Sequence, residues 1–127
     1  MKRLLITGAN RGLGAVCRTR LQHMADIIRI SARKPLDPVQ PHEEVVLGDL
    51  SDKHAVEDMV RGCDGIVHMG GQSVEAPWEV IRASNIDGMY NLFEAARKHG
   101  QPRIIFASSN HAIGYYKQSE RIDASVP

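Results

Sequence analysis

Short apolar runs alternate with longer amphipathic stretches along this chain. The amphipathic stretches carry apolar residues every three or four positions, which predicts helices over residues 12–24 and 78–99 and a shorter helix capped by Ser51. Gly100 is placed to end the long helix. The apolar runs predict five strands, at residues 3–7, 27–30, 45–47, 65–68 and 103–107. This alternation is typical of an α/β fold, in which helices flank a parallel sheet.

Three glycines follow the first predicted strand and lead into the first helix. Gly8 allows a sharp turn off the strand, Gly12 allows close approach of a ligand, and Gly14 allows the helix to pack on the strand. The amides of the first helical turn and the positive end of the helix dipole suit an anion. The pattern therefore predicts a site for the diphosphate of a dinucleotide, and with it nicotinamide redox chemistry. An ordinary glycine-rich turn in another α/β domain is the alternative.

Length, charge and composition exclude several other classes of protein. With 127 residues the chain has the length of one domain, and its net charge of +1 gives no reason to expect nucleic acid or an anionic membrane as partner. No apolar stretch has the length of a signal peptide or a membrane span. Cys17 and Cys63 are expected to be reduced thiols, as in a cytoplasmic protein. The histidines show no metal-ligand spacing, so no metal site is expected.

Several segments together resemble the short-chain dehydrogenase/reductase superfamily. They are residues 7–14, 48–50, 68–71, 85–88 and 106–109. The resemblance implies a Rossmann-type sheet of about five strands in the order 3-2-1-4-5, an NAD(P)-binding half-domain over residues 1–116, and an irregular tail over residues 117–127. It also implies the cofactor-binding residues, which are Gly8, Asn10, Arg11, Gly12, Leu13, Gly14, Ala32, Arg33, Asp49, Leu50, Met69, Gly70, Gly71 and Asn85. Among these, Asn85 is expected to bridge backbone groups.

Three longer segments narrow the resemblance to one enzyme family. Residues 63–71, 90–97 and 108–116 resemble uronate dehydrogenases, in the epimerase/dehydratase branch of the superfamily. Those enzymes oxidise C1 of a hexuronic acid to an aldarolactone with NAD. The resemblance implies that Ser109 orients the substrate hydroxyl as a catalytic residue. It also implies substrate contacts, from Ser73, Asn110 and His111 to the sugar acid. For the serines and His111, a merely polar loop position is the alternative.

The chain departs from the family at its catalytic motif. The family carries Tyr-x-x-x-Lys on a helix after the fifth strand, but neither Tyr90, Tyr115 nor Tyr116 has a lysine four residues further on. The resemblance covers only the N-terminal half of such an enzyme, truncated before strand six, and without the motif no general base is evident. We therefore expect the 127-residue chain to be inactive alone. A non-enzymatic dinucleotide-binding module, or part of a sugar-nucleotide epimerase or dehydratase, is the alternative.

A second departure concerns the choice between NAD and NADP. Uronate dehydrogenases carry aspartate at the end of strand two, where this chain has Ala32. Arg33 and Lys34 suit the 2′-phosphate of NADP, because guanidinium and ammonium groups pair with phosphate. Arg11 is also placed to contact a phosphate. The residues therefore favour NADP and the family favours NAD, unless positions 33 and 34 are only a solvated loop.

The predicted sheet ends in an open edge. Strand five would lack a neighbour on one side, and open strand edges pair with other chains. Met89, Leu92 and Phe93 on the long helix are expected to be partly exposed for the same reason. We therefore expect a homo-oligomer formed through the strand-five edge or the long helix. Trp78 is expected to pack in the core or in an interface.

Overall fold

Five parallel strands form the centre of the protein, for which a computed structural model describes residues 1–36 and 38–125. The strands are β1 (Arg3–Thr7), β2 (Ile27–Ala32), β3 (Glu43–Leu47), β4 (Gly65–His68) and β5 (Arg103–Phe106). Their order in the sheet is β3-β2-β1-β4-β5, and every neighbouring pair is parallel. The predicted fold class and strand order are therefore confirmed.

The register of the sheet brings the carboxyl ends of the strands to one edge. Thr7, the last residue of β1, pairs with Ser31 on one side and with His68 on the other. His68 in turn pairs with Phe106 of β5. In open α/β sheets ligands bind in the crevice beyond this edge, so the register places any nucleotide site here.

Helices pack on both faces of the sheet. They are α1 (Gly12–Arg20), α2 (Lys53–Val60), α3 (Trp78–Ile81) and α4 (Gly88–Lys98), with a short 3₁₀ turn at Asn110–Ile113. A π-helical segment, Arg82–Asp87, joins α3 to α4 without a break, and residues 78–98 are called the long helix below. Gly100 follows it with a φ of +96°, as a helix-ending glycine does.

Successive strand residues face opposite sides of the sheet and fill two hydrophobic clusters. On one face Leu5 and Ile66 pack with side chains of α2 and α4, among them Leu92. On the other face Leu4 and Ile6 pack with residues of β2 and with Val67. Because Leu92 is completely buried, its predicted exposure is wrong. Phe93, also predicted to be exposed, is 45% exposed.

The first turn of α1 buries a glycine rather than its large apolar side chains. Leu13 is 73% exposed and Val16 is 54% exposed, although apolar residues at helical spacing usually face a core. Gly14 is the buried residue of this helix, and only Cys17 and Leu21 pack against the second cluster. The helix ends at Arg20 rather than at residue 24, with Leu21 at its carboxyl cap.

The cap of α2 is Asp52, one residue later than predicted. Its Oδ1 accepts hydrogen bonds from the amides of His54 at 2.9 Å and Ala55 at 3.2 Å. Ser51 does not cap the helix, because its amide and hydroxyl both donate to Oδ1 of Asp49. Two Asx turns, at Asp49 and at Asp52, thus fix the segment between the end of β3 and the start of α2.

Several remaining expectations concern the ends and edges of the fold. Cys17 and Cys63 are free thiols. Trp78 is 59% exposed, so it is not a core residue, and a role in an interface stays a prediction. Between residues 117 and 125 the structure contains turns but neither helix nor strand, and the division of the chain at 116 stays a prediction. In the described ranges, no helix has both the length and the apolar character needed to span a membrane.

Candidate functional site

The turn between β1 and α1 needs glycine at two positions for different reasons. Gly8 has a φ of +68°, and a Cβ there would lie 2.8 Å from the carbonyl carbon of Met69. Gly14 approaches the same turn from the helix, because its Cβ would lie 2.6 Å from the carbonyl carbon of Gly8 and overlap its oxygen. Gly12 also has a positive φ, +58°, but a Cβ there would meet no atom within 4 Å. The space beside Gly12 is thus open, as the approach of a ligand requires.

The amino end of α1 has the properties of an anion site. The backbone of Arg11 is extended, and no side chain caps the helix. Helix geometry leaves the first amides without intrahelical partners, and the first turn contains no acidic residue. Asn10, Arg11, Gly12 and Leu13 are all exposed around it. The free amides and the helix dipole therefore favour a phosphate here, and the glycine-lined turn fits the diphosphate of a dinucleotide.

Beneath this turn, the Thr7 hydroxyl joins the ends of β1 and β4. Its oxygen accepts hydrogen bonds from the amides of Met69 at 3.2 Å and Gly70 at 2.9 Å. It also lies 2.7 Å from Nδ1 of His68, in a buried contact. Since both lone pairs of the oxygen accept amide hydrogens, the hydroxyl hydrogen is left for Nδ1. The proton of His68 is therefore on Nε2.

His68 is held in its neutral form. Burial lowers the pKa of this imidazole from its usual value of 6.5 to about 4, because the charged ring would lose its hydration. The ring also stacks on Phe106, with centroids 5.7 Å apart and an angle of 19° between the planes. His68 thus links the turns after β1 and β4 to the end of β5 without carrying charge at neutral pH.

The turn after β4 is packed from three sides. A Cβ at Gly70 would lie 2.9 Å from Oγ1 of Thr7 and 3.0 Å from Cδ1 of Leu50. The amide of Gln72 donates to Oδ1 of Asn85 at 2.7 Å, and Nδ2 of Asn85 donates back to the Gln72 carbonyl at 2.9 Å. Asn85 therefore bridges backbone groups, as the sequence led us to expect. Its role toward a cofactor stays a prediction.

The ends of β2 and β3 form the opposite side of the site. Ala32 is buried, whereas Arg33 and Lys34 are exposed. Hydrogen bonds from the Ser51 amide and hydroxyl lower the pKa of Asp49, and the positive charge of Arg33 lowers it further. The Asp49 carboxylate is therefore ionised at neutral pH and lies within electrostatic range of the Arg33 guanidinium.

A cavity of about 510 Å³ opens between the ends of β4 and β5. Its lining brings together six of the residues predicted from sequence, which are Met69, Gly70, Gly71, Ser73, Asn85 and Ser109. His68 and Phe106 line it too. An open cavity of this size is adequate for a nicotinamide ring and a small polar substrate.

Ser109 and His111 form a local pair at the mouth of this cavity. The Ser109 oxygen accepts a hydrogen bond from the His111 amide at 3.1 Å, and the same oxygen lies 3.1 Å from Nδ1 of His111. Both residues are exposed, and His111 does not line the cavity. The side chain of Asn110 lies outside the described part of the structure. The substrate and catalytic roles of these residues stay predictions.

A second cavity, of about 350 Å³, lies beside α1 and is separate from the first. Among the predicted site residues it contains Asn10 only. Its floor is closed by Arg18, whose guanidinium donates to both oxygens of the Glu43 carboxylate. These two charged groups therefore satisfy each other. In the parts of the chain that the structure describes, no cluster of three metal-ligating side chains occurs.

Three residues that support the site were not predicted as site residues from the sequence. They are Thr7, His68 and Asn91, of which Asn91 donates from Nδ2 to the Leu50 carbonyl at 3.0 Å. A signal for the first two exists, since both are polar residues at the ends of otherwise apolar, buried strands. Asn91 carries no such signal, because a polar residue in an amphipathic helix is ordinary.

Comparison with known proteins is consistent with this geometry. A profile of the NAD dependent epimerase/dehydratase family matches residues 4–126. With a family match over nearly the whole chain and a parallel sheet of the expected order, the protein belongs to the NAD dependent epimerase/dehydratase family.

Two curated uronate dehydrogenases are more than half identical to this chain over nearly its whole length. Uronate dehydrogenase from Agrobacterium fabrum is 62% identical over 127 residues, which are 100% of this chain and 48% of the relative. Uronate dehydrogenase from Pseudomonas putida is 55% identical over 98% of this chain and 47% of its own length. The chain therefore spans about half the length of the curated relatives it matches.

Solved structures of two such dehydrogenases superpose closely on this chain. Uronate dehydrogenase from Agrobacterium tumefaciens, in a tyrosine-to-alanine variant complexed with NAD, superposes with a TM-score of 0.95 at 62% identity, over 100% of this chain and 48% of that one. Glucuronic acid dehydrogenase from Chromohalobacter salexigens gives a TM-score of 0.94 at 53% identity, over 99% and 47% of the two chains.

Proposed function

We propose that this chain is the dinucleotide-binding part of a uronate dehydrogenase, an oxidoreductase that converts a hexuronic acid to an aldarolactone. The observation that carries the proposal is the uncapped amino end of α1, with Gly8 packed against the turn after β4. That arrangement offers free amides to a diphosphate between the two halves of a nucleotide site. The identity of 62% to a uronate dehydrogenase supports the substrate class.

In this proposal the cofactor is held by residues around the turn between β1 and α1, residues 8–11, which we call the phosphate turn. The amides at Gly12, Leu13 and Gly14 receive the diphosphate, and the exposed side chains of Asn10 and Arg11 lie beside them. Gly70 and Gly71 form the floor under the nicotinamide, which accepts a hydride when bound. Asp49 and Leu50 lie on the adenosine side, at the carboxyl end of β3.

Ser109 is the catalytic residue that this chain contributes in the proposal. Ser109 lines the cavity beside the turn after β4, and its hydroxyl donates a hydrogen bond to the C1 hydroxyl of the sugar acid in this proposal. Ser73, Asn110 and His111 contact the remaining hydroxyls and the carboxylate. Oxidation at C1 also requires a base for the hydroxyl proton, and the chain contains no Tyr-x-x-x-Lys motif to provide one. We therefore expect the 127-residue chain alone to bind and orient but not to turn over.

The cofactor form is decided at the end of β2. Ala32 has no carboxylate for the ribose 2′-hydroxyl, and Arg33 and Lys34 are exposed, with Asp49 within electrostatic range of Arg33. An exposed guanidinium beside the ribose position can pair with a 2′-phosphate. The residues present thus favour NADP, whereas the family description and the NAD complex of the relative favour NAD.

Calorimetric titration with NAD and NADP tests both the proposed nucleotide binding and the proposed preference for NADP. We expect measurable binding of each, with NADP bound at least about tenfold more tightly, since a charge-assisted contact contributes about 1.5–3 kcal/mol. Arg33→Ala should remove the preference for NADP without weakening NAD. Arg61→Ala is the control, since that arginine is exposed and lies in an ion pair with Asp58 remote from the site. Failure of the wild-type chain to bind either nucleotide would refute the function, and equal affinities would refute the role of Arg33.

A catalytically inert dinucleotide-binding module is the second candidate, favoured by the missing Tyr-x-x-x-Lys motif. The two candidates differ in whether the chain binds a hexuronic acid. As part of a dehydrogenase, the chain with NAD(P)H bound should bind glucuronate or galacturonate, and Ser109→Ala should weaken that binding. As an inert module it should bind the nucleotide and no sugar acid. Equilibrium dialysis with labelled glucuronate distinguishes them, with sorbitol as the uncharged control.

We also propose self-association through the open edge of the sheet. Ile105 is 58% exposed and Phe106 is 44% exposed on β5, which among the described residues has a neighbouring strand on one side only. An unpaired strand with apolar side chains on both faces favours pairing with a second copy. Sedimentation velocity should show a dimer or larger species, which Ile105→Lys disrupts and Val16→Lys, at an exposed position on α1, does not. A monodisperse wild-type monomer would contradict the proposal.

A further inference from the structure

The loop that follows β3 is tied to the long helix by one side chain. Nδ2 of Asn91 donates to the Leu50 carbonyl at 3.0 Å and to the Ser51 carbonyl at 3.3 Å. Asn91 is half-buried, so its bond to Leu50 is partly shielded from water, whereas its bond to the exposed Ser51 is open to solvent. A single amide therefore fixes two consecutive peptide groups of residues 49–51, which we call the β3 loop.

The helix also packs directly on this loop. A Cβ at Gly88 would lie 2.8 Å from Cβ of Leu50, so only glycine permits the approach. On its other side, Cδ1 of Leu50 lies 3.0 Å from where a Cβ of Gly70 would stand. Leu50 is thus held between the long helix and the turn after β4. Its position, and that of Asp49 before it, depend on the helix.

A second asparagine of the same helix holds the other loop. Asn85 exchanges two hydrogen bonds with the backbone of Gln72, in the loop of residues 70–73 that we call the β4 loop. Asn85 lies in the π-helical segment and Asn91 in α4. In the sheet, β2 and β1 lie between β3 and β4, so the two loops follow different strands, although Leu50 of the β3 loop reaches Gly70 of the β4 loop.

We propose that the long helix positions the two halves of the nucleotide site through separate clamps, Asn91 on the adenosine side and Asn85 on the nicotinamide side. The inference rests on the proposed function, because it assigns the β3 loop to the adenosine. Asn91 is a positioning residue in this account, since it acts through the backbone of Leu50 and Ser51. Asp49, next to that backbone, is the charged group whose placement it controls.

Two ligands separate the clamps, because ADP-ribose contains every part of NAD except the nicotinamide. Asn91→Ala should weaken ADP-ribose and NAD equally, by about fivefold, the net value of one hydrogen bond. Asn85→Ala should weaken NAD by about fivefold and change ADP-ribose by less than about twofold. Asn91→Asp is the matched variant, because it keeps the size of the side chain but cannot donate to two carbonyls. It should weaken both ligands at least as much as Asn91→Ala, because its carboxylate would face two carbonyl oxygens. Equal losses for both ligands in both asparagine-to-alanine variants would overturn the separation.

Amide hydrogen exchange provides a readout that needs no ligand. Asn91→Ala should speed exchange at residues 49–52 and leave the β4 loop unchanged, and Asn85→Ala should do the reverse. If the wild-type chain binds neither ligand, the proposed function fails while the exchange pattern still decides whether the clamps are independent. Faster exchange in both loops from either single variant would overturn the inference, because it would show one cooperative unit.

Discussion

The Thr7 hydroxyl and the His68 imidazole form one buried unit at the edge of the sheet where ligands bind, with Oγ1 2.7 Å from Nδ1. The two residues are neighbours in the register of β1 and β4. Thr7 continues into the phosphate turn, and His68 continues into the turn that ends at Gly70, whose amide Thr7 also binds. The geometry of the two turns is therefore set by contacts between buried side chains and backbone below the site.

Removing the Thr7 hydroxyl should lower the free energy of unfolding more than removing its methyl group does. Thr7→Val keeps the shape but leaves the amides of Met69 and Gly70 without an acceptor, so we expect a loss of about 2–4 kcal/mol in the free energy of unfolding. Thr7→Ser keeps the oxygen and should lose about 1 kcal/mol. Urea unfolding measures both. Thr19→Val is the control at an exposed position, and equal stability of the Val and Ser variants at position 7 would contradict the assignment.

The depressed pKa of His68 predicts a loss of stability in weak acid. The folded pKa is about 4 and the ordinary value is 6.5, so between these two pH values the unfolded chain binds a proton that the folded chain does not. The contribution is fully present above pH 6.5 and is lost as the pH falls to 4, by about 3 kcal/mol in total.

Urea unfolding between pH 4 and 7.5 checks the sign, with His68→Asn as the reference, since Asn does not titrate. The difference in unfolding free energy between wild type and variant should shrink as the pH falls. A difference that stays constant across this range would show that His68 titrates normally. Carboxylates contribute equally to both proteins and cancel in the comparison.

Two glycines with similar φ angles should respond differently to alanine. Gly8→Ala places its methyl group against the Met69 carbonyl at 2.8 Å, which is backbone and cannot move aside, so we expect loss of nucleotide binding and a large drop in thermal stability. Gly12→Ala meets no atom within 4 Å and should cost only the strain of a left-handed residue, about 1–2 kcal/mol. Thermal unfolding monitored by circular dichroism separates them. Similar melting temperatures for the two variants would show that φ alone matters.

The strands and the phosphate turn were predictable because their signals are local. A buried parallel strand is a short apolar run, and a turn with positive φ requires glycine at fixed positions, as at Gly8 and Gly12. The exposure of Leu13 was not predictable in the same way. Apolar residues at helical spacing usually face a core, but this helix buries Gly14 against the turn instead, and that requires knowledge of how closely α1 approaches β1.

The support of the site depends on contacts between distant parts of the chain. Thr7 and His68 are 61 positions apart, and Asn91 and Leu50 are 41 apart, so no local pattern connects them. The π-helical segment escapes prediction for another reason. A π-helical turn is built from the same residue types as an α-helix, and the sequence of residues 78–98 is compatible with an ordinary helix. The cap of α2 fell on Asp52 because Ser51 is engaged by Asp49.

Arg29 should stabilise the fold far more than a surface arginine in an ion pair of the same kind. Its Nη1 donates to the carbonyls of Asp58, Met59 and Arg61 at the carboxyl end of α2, at 3.1, 2.9 and 2.7 Å. Its Nε donates to Glu44 at 2.6 Å, and the arginine side chain is only 11% exposed. Substitution by methionine, which retains much of the apolar stem, would remove the arginine donor from the Asp58 and Arg61 carbonyls, while the Met59 carbonyl keeps the Cys63 thiol and Glu44 keeps its ion pair with Arg3. We expect Arg29→Met to lower the free energy of unfolding by about 2–4 kcal/mol.

Arg97 provides the matched control, because it binds Glu94 through two hydrogen bonds on the exposed face of α4. Arg97→Met should cost less than about 1 kcal/mol, as exposed ion pairs usually do. Urea unfolding at low and high salt tests the comparison, since salt screens the exposed pair and leaves the carbonyl contacts of Arg29 largely unaffected. Equal losses for the two variants would show that Arg29 contributes through its charge alone rather than by capping the helix.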